Sequence, residues 1–137
     1  MRTIWKLALA CAVVAGACTK SPEPATKAPE VAAAEPASIA WVNTKTTADV
    51  DSAFSTAKAG KKPVFLFWTA AWCPPCNHVK STIFTRNEFI AKSQSFVPVY
   101  IDGDTPSGQA LGKRFNVSGY PTMVLLTAEG NAVTAVS

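Results

Sequence analysis

Cys73 and Cys76, in Trp72-Cys73-Pro74-Pro75-Cys76, are the residues of this sequence best placed to do chemistry. Two thiols two residues apart can close a disulfide, exchange it with a partner, or supply half the ligands of a zinc ion. A zinc site needs two further Cys or His ligands at matched spacing, and His78 alone stands nearby. On a helix, His78 two residues after Cys76 points to a different face and reads as a surface residue. The pattern therefore predicts thiol–disulfide exchange, with no metal or other cofactor.

The flanking residues say how the thiols are presented. Pro63-Val64-Phe65-Leu66-Phe67-Trp68 is a continuous apolar, β-prone run, as in a central strand buried on both faces. From Pro74 onward, Cys76, Val79, Ile83 and Phe84 keep helical spacing to about Thr85. Cys73 thus falls at a helix N-terminus, where amides and the macrodipole favour a thiolate, and is the expected nucleophile. Cys76, one turn further in, is the expected resolving thiol, which attacks the mixed disulfide and releases the partner. Pro74 suits the first helical position, and Pro75 removes a second amide, leaving that of Cys76 to face the Cys73 sulfur. The two prolines should also stiffen the turn.

Other elements must hold this turn in place. Ile39, Trp41 and Val42 read as a short opening strand. Thr47-Ala48-Asp49 begins a helix over about Ala48 to Ala59, with Val50, Ala53, Phe54 and Ala57 inward and Gly60 as its stop. Asn87 before Glu88 resembles a cap for a short helical turn, and Phe96 to Ile101 reads as a strand. Asp104-Thr105-Pro106 opens a third helix whose inward stripe is Leu111 and Phe115. Strands from Thr122 and Ala132 flank a Glu129-Gly130-Asn131 turn. This order predicts an α/β domain with a central mixed sheet flanked by helices.

Residues 1–18 carry Arg2 and Lys6, an apolar run from Leu7 to Val14 that includes Cys11, and a small-residue end, the layout of a signal peptide. The run is too short to span a bilayer as a helix, which takes about 20 residues. Ala15-Gly16-Ala17-Cys18 fits either small-residue cleavage or, by resemblance, the lipobox of bacterial lipoproteins, although Ala15 stands where Leu is preferred. The second reading makes Cys18 an acylated membrane anchor. Residues 19–38, with Pro22, Pro24, Pro29 and Pro36, read as an extended tether, and residues 39–137 as the working domain. The expected location is the periplasm or cell envelope of a bacterium.

Thirteen Lys and Arg stand against nine Asp and Glu, and removing Arg2 and Lys6 leaves eleven against nine. The basic residues are scattered without interleaved aromatics, so no nucleic-acid partner is expected.

With this context, the Trp-Cys-Pro-Pro-Cys motif resembles those of thioredoxin-like proteins. Residues 61–130, including Phe115-Asn116-Val117-Ser118-Gly119-Tyr120-Pro121-Thr122, are similar to the periplasmic C-terminal domain of DsbD-type thiol–disulfide interchange reductases. The Trp-Cys-Pro-Pro-Cys signature is itself similar to the tethered thioredoxins of the TlpA and ResA kind. The resemblance implies a thioredoxin-like fold and a cis-proline at Pro121 facing the disulfide and shielding it from metal. It implies substrate backbone pairing beside Tyr120, and Trp72 packing by the sulfur or lining the substrate surface. It further implies protein disulfides as substrates, reduction as the direction, and an upstream thiol protein as electron donor. Other classes stay open: a protein- or metal-binding module with structural cysteines, or an oxidase or isomerase of secreted proteins.

Two departures from the family stand out. Phe67 occupies the position, six residues before the first cysteine, where thioredoxins bury an acid thought to take the resolving thiol's proton, so water or another group must serve. The sequence stops at Ser137 without the usual final helix, so either a longer protein or a minimal variant is expected, with one sheet face uncovered.

Overall fold

The computed structural model describes residues 38–136. The leader, Cys18 and the tether up to residue 37 lie outside them. The elements in order are β1 (Val42–Asn43), α1 (Thr47–Gly60), β2 (Val64–Thr69), α2 (Pro74–Thr82), α3 (Asn87–Ser93), β3 (Val97–Asp102), α4 (Pro106–Arg114), β4 (Thr122–Leu126) and β5 (Ala132–Val136).

The five strands form one mixed sheet in the order β1-β3-β2-β4-β5. β1 and β2 both run parallel to β3, whereas β4 runs antiparallel to β2 and to β5. β2 is therefore covered by a strand on each side, which suits its unbroken apolar sequence.

The pleat of β2 splits its side chains between two cores. Val64, Leu66 and Trp68 join Val50, Ala53 and Ala57 of α1, Leu111 of α4, and Val97, Val99 and Ile101 of β3. Phe65 and Phe67 turn the other way, toward Phe84, Phe89 and Ile90 around α2 and α3. Leu66, Phe67 and Trp68 are fully buried, each contributing roughly 1.5–3 kcal/mol of transfer free energy.

Several elements differ in extent from the sequence expectation. α2 stops at Thr82 rather than near Thr85, because the amides of Ile83 and Phe84 both donate to the Val79 carbonyl and Phe84 swings inward. Its ring lies 4.9 Å from those of Phe67 and Phe89 and 5.1 Å from that of Trp41. Burial of Phe84 thus outweighs continuing the helix. Trp41 sits before β1 rather than in it, drawn to the same aromatic cluster. Asn87 is not the cap of α3. Arg86 holds the extended N-cap position without a side-chain bond, and Asn87 is the first helical residue. The last described strand, β5, has every residue exposed.

α1 is fixed at its start by Asp49, whose carboxylate accepts from the Lys45 amide at 2.8 Å and from the Thr46 amide at 2.7 Å. Those amide bonds, that of Thr46 foremost, hold the Asp49 carboxyl below the usual carboxylate range. A depressed folded-state value means the contribution is complete above the ordinary range and disappears as pH falls through the folded value. Asp49→Ala should therefore lower the melting temperature at neutral pH, and the gap from wild type should close on acidification. A gap that stays constant with pH would assign the loss to packing instead.

Candidate functional site

The site grows from the C-terminal end of β2. After Thr69 the chain turns through residues 70–72, and the Cys73 amide closes the turn on the Ala70 carbonyl at 3.3 Å. Cys73 then adopts the extended N-cap conformation, with Pro74 and Pro75 as the first residues of α2. Neither proline has an amide, so the first available donor is Cys76, whose N–H points at Cys73 Sγ at 3.3 Å. No acidic side chain occupies the first turn of α2, so the sulfur meets the positive helix end without competition. Asn77 braces the turn, its side-chain amide donating to the Ala71 carbonyl at 3.2 Å.

Cys73 and Cys76 are joined as a disulfide with Cα atoms 5.3 Å apart. Cys73 keeps 2 % of its surface exposed and Cys76 none, so an incoming sulfur meets Cys73 first. Tyr120 packs against the cluster formed by both cysteines and Ala70. The Tyr120–Pro121 bond is cis, and Thr122 Oγ1 donates to the Gly119 carbonyl in the same turn. Trp72 stands out from the surface, 69 % exposed, with its ring 6.4 Å from that of Tyr120 in an edge-on arrangement. The fold thus gathers Trp72, Cys73, Cys76 and Tyr120 at one place, with Pro74, Pro75 and Pro121 in the two turns that carry them.

His78 is exposed on α2, and no group of three or more potential metal ligands occurs among the described residues. An open cleft of about 480 Å³ lies elsewhere, among Trp41, Phe84, Ile90 and Tyr100. It holds neither cysteine.

Three residues at this site had escaped a role there in the sequence reading. In the sequence Asp104 reads only as part of the start of the helix after β3; the cap is Thr105, whose Oγ1 accepts from the Gly108 amide, while Asp104 Oδ1 accepts from the Trp72 indole at 3.1 Å. Gly103 and Gln109 reach Tyr120 from the same junction. Their signal in the sequence is position: they follow the C-terminal end of a parallel strand, where open α/β sheets collect functional groups.

Phe67 is fully buried among the rings of Phe84 and Tyr100, so the place of the family's acid is filled by hydrocarbon. Thr69 follows it on the same face of β2, and Thr69 Oγ1 is buried without a hydrogen-bond partner among the described residues.

A disulfide at a helix N-terminus after a central strand, beside a cis-proline turn that opens the adjacent strand of a five-stranded mixed sheet with four helices, defines the thioredoxin-like fold. The chain belongs to the thioredoxin-like domain family, whose model matches residues 50–137, more than half of its length. It is 31% identical over 95 residues to the thiol:disulfide interchange protein DsbD of Ralstonia nicotianae, covering 68% of this chain and 16% of that protein. It is 32% identical over 99 residues to DsbD of Cronobacter sakazakii, covering 71% and 17%. The chain therefore spans about a sixth of the length of these relatives. Among solved structures, oxidised thioredoxin O2 of Arabidopsis thaliana superposes with a TM-score of 0.58 at 28% identity, over 72% of this chain and 82% of that one.

The unpaired hydroxyl of Thr69 generates a prediction. Thr69→Val keeps the branched shape and removes a buried polar atom, so it should stabilise the domain by about 1 kcal/mol, read from the urea midpoint. Destabilisation would mean that the hydroxyl has a partner, such as a buried water.

Proposed function

We propose that this chain is an extracytoplasmic thiol–disulfide oxidoreductase that reduces protein disulfides through Cys73 and Cys76. The observation that carries the reading is the Cys73 sulfur, which caps α2, accepts the Cys76 amide and holds the exposed part of the disulfide. In the reduced form that amide and the helix end would stabilise a thiolate, the species that attacks disulfides.

In the first step the Cys73 thiolate attacks one sulfur of the substrate disulfide. A mixed disulfide forms, and the other substrate sulfur leaves as a thiolate that takes a proton from water. Cys76 then loses its proton and attacks Cys73 Sγ, which restores the Cys73–Cys76 disulfide and frees the second substrate thiol. Two electrons pass to the substrate, and a partner dithiol must return them. With Phe67 in place of an acid, the Cys76 proton goes to water or to another group near the helix end.

The interchange proteins among the relatives support the reaction class. Arg2, Lys6 and the apolar run to Val14 support export, and Ala15-Gly16-Ala17-Cys18 supports attachment through an acylated Cys18. Among the described residues no helix is long and apolar enough to cross a membrane. Trp72, Tyr120 and Pro121 form the surface offered to the substrate.

The small exposure of Cys73 favours a second reading, a binding module whose disulfide is structural. Cysteine variants separate the two. Cys76→Ser, incubated with a disulfide-bonded protein such as insulin, should accumulate mixed disulfides on non-reducing gels, and Cys73→Ser should accumulate none. The reverse pattern would exchange the two roles, and no adduct with either variant would leave the binding module.

A further inference from the structure

Tyr120 is held from behind with unusual strictness. Its hydroxyl donates to the Gly103 carbonyl at 3.0 Å and accepts from Gln109 Nε2 at 3.2 Å, while Gln109 Nε2 also donates to the Gly103 carbonyl. Gly103 is itself pinned, its amide donating to the Thr69 carbonyl at 2.8 Å, at the end of the strand that leads into the cysteines.

Space constrains the ring as tightly as hydrogen bonding does. A Cβ on residue 103 would lie 2.2 Å from Tyr120 Cζ and from its hydroxyl oxygen, so no larger residue fits while the ring stays in place. One turn on, a Cβ at Gly108 would lie 1.9 Å from the Asp102 carbonyl oxygen. That close approach seats the first turn of α4 on the end of β3 and brings Gln109 within reach of Tyr120.

The result is a wall whose polar atoms are already engaged in hydrogen bonds. The Tyr120 hydroxyl is engaged by Gly103 and Gln109, and the Trp72 indole N–H by Asp104 of the same junction. The two rings that flank the cysteines therefore take their positions from the junction between β3 and α4.

We infer that Gly103 and Gln109 are positioning residues for disulfide exchange: they clamp the Tyr120 ring beside Cys73–Cys76, and a docking polypeptide meets a preset apolar wall. The inference rests on the oxidoreductase reading above. A small disulfide needs no such wall, whereas a protein disulfide, whose chain must lie along it, does. The clamp thus acts on protein substrates and leaves the intrinsic reactivity of the cysteines alone.

The test uses the whole chain, with insulin and dithiothreitol as the protein probe and its electron source, and with 5,5′-dithiobis(2-nitrobenzoic acid) as the small disulfide for the pre-reduced chain freed of dithiothreitol. Gln109→Met, which removes the donor at similar size, should lower kcat/KM for insulin about five-fold, mainly through KM, as expected for one lost hydrogen bond. The rate with the small disulfide should stay within roughly two-fold. Gly103→Ala should lower insulin reduction in the wild-type background and have no further effect when Tyr120→Val has already emptied the space. Equal losses from Gly103→Ala in both backgrounds, or a Gln109→Met defect equal for both probes, would overturn the clamp while leaving the oxidoreductase reading intact. A wild-type chain that reduces neither probe would overturn that reading and the clamp together.

Discussion

The N-terminus of α2 is closed by a sulfur instead of the usual oxygen, and the rest of the structure can be understood as what that substitution requires. A helix start exposes several unpaired amides. Here Pro74 and Pro75 delete two of them, and the first that remains, Cys76, points at Cys73 Sγ. The helix end is thus satisfied by a single weak acceptor that is also the atom proposed as the nucleophile. An oxygen-bearing cap at Cys73 would be better for the helix and useless for exchange.

Holding such a cap demands a rigid base. β2 supplies it by pairing along its length with β3 and β4 and by sending side chains into both cores. Trp68 and Leu66 anchor it to α1 and α4, while Phe65 and Phe67 anchor it to the aromatic cluster under α2 and α3. That cluster also accounts for Phe67 where the family places an acid: the position is committed to packing against Phe84, Trp41 and Tyr100. Proton transfer from Cys76 must then be arranged otherwise, and the Thr69 hydroxyl, buried without a partner one pleat closer to the turn, marks where polarity survives on that face.

Much of this was legible in the sequence because it is local. The β2 run, the Pro74 start of α2, the Thr105-Pro106 start of α4 and the Gly130 turn each announce themselves through neighbouring residues. The spacing of Cys73 and Cys76 was legible for the same reason, whereas the cis bond before Pro121 was implied only by resemblance to the family. What the sequence concealed depends on contacts between distant segments. The early end of α2 follows from where Phe84 finds its neighbours, and β1 shortens to Val42–Asn43 because Trp41 is drawn to the same cluster. The clamp of Gly103 and Gln109 on Tyr120 bridges residues 17 and 11 positions apart, which no periodic pattern encodes.

The function proposed above requires the Cys73–Cys76 pair to be a reductant whose sulfurs exchange reversibly at a helix end. It is tested most directly by the equilibrium reduction potential of the purified domain, titrated against dithiothreitol or glutathione. Reversible titration with a value near that of thioredoxin, about −270 mV, is expected, whereas a value near that of DsbA, about −120 mV, would make the pair an oxidant and rule out the reductase role.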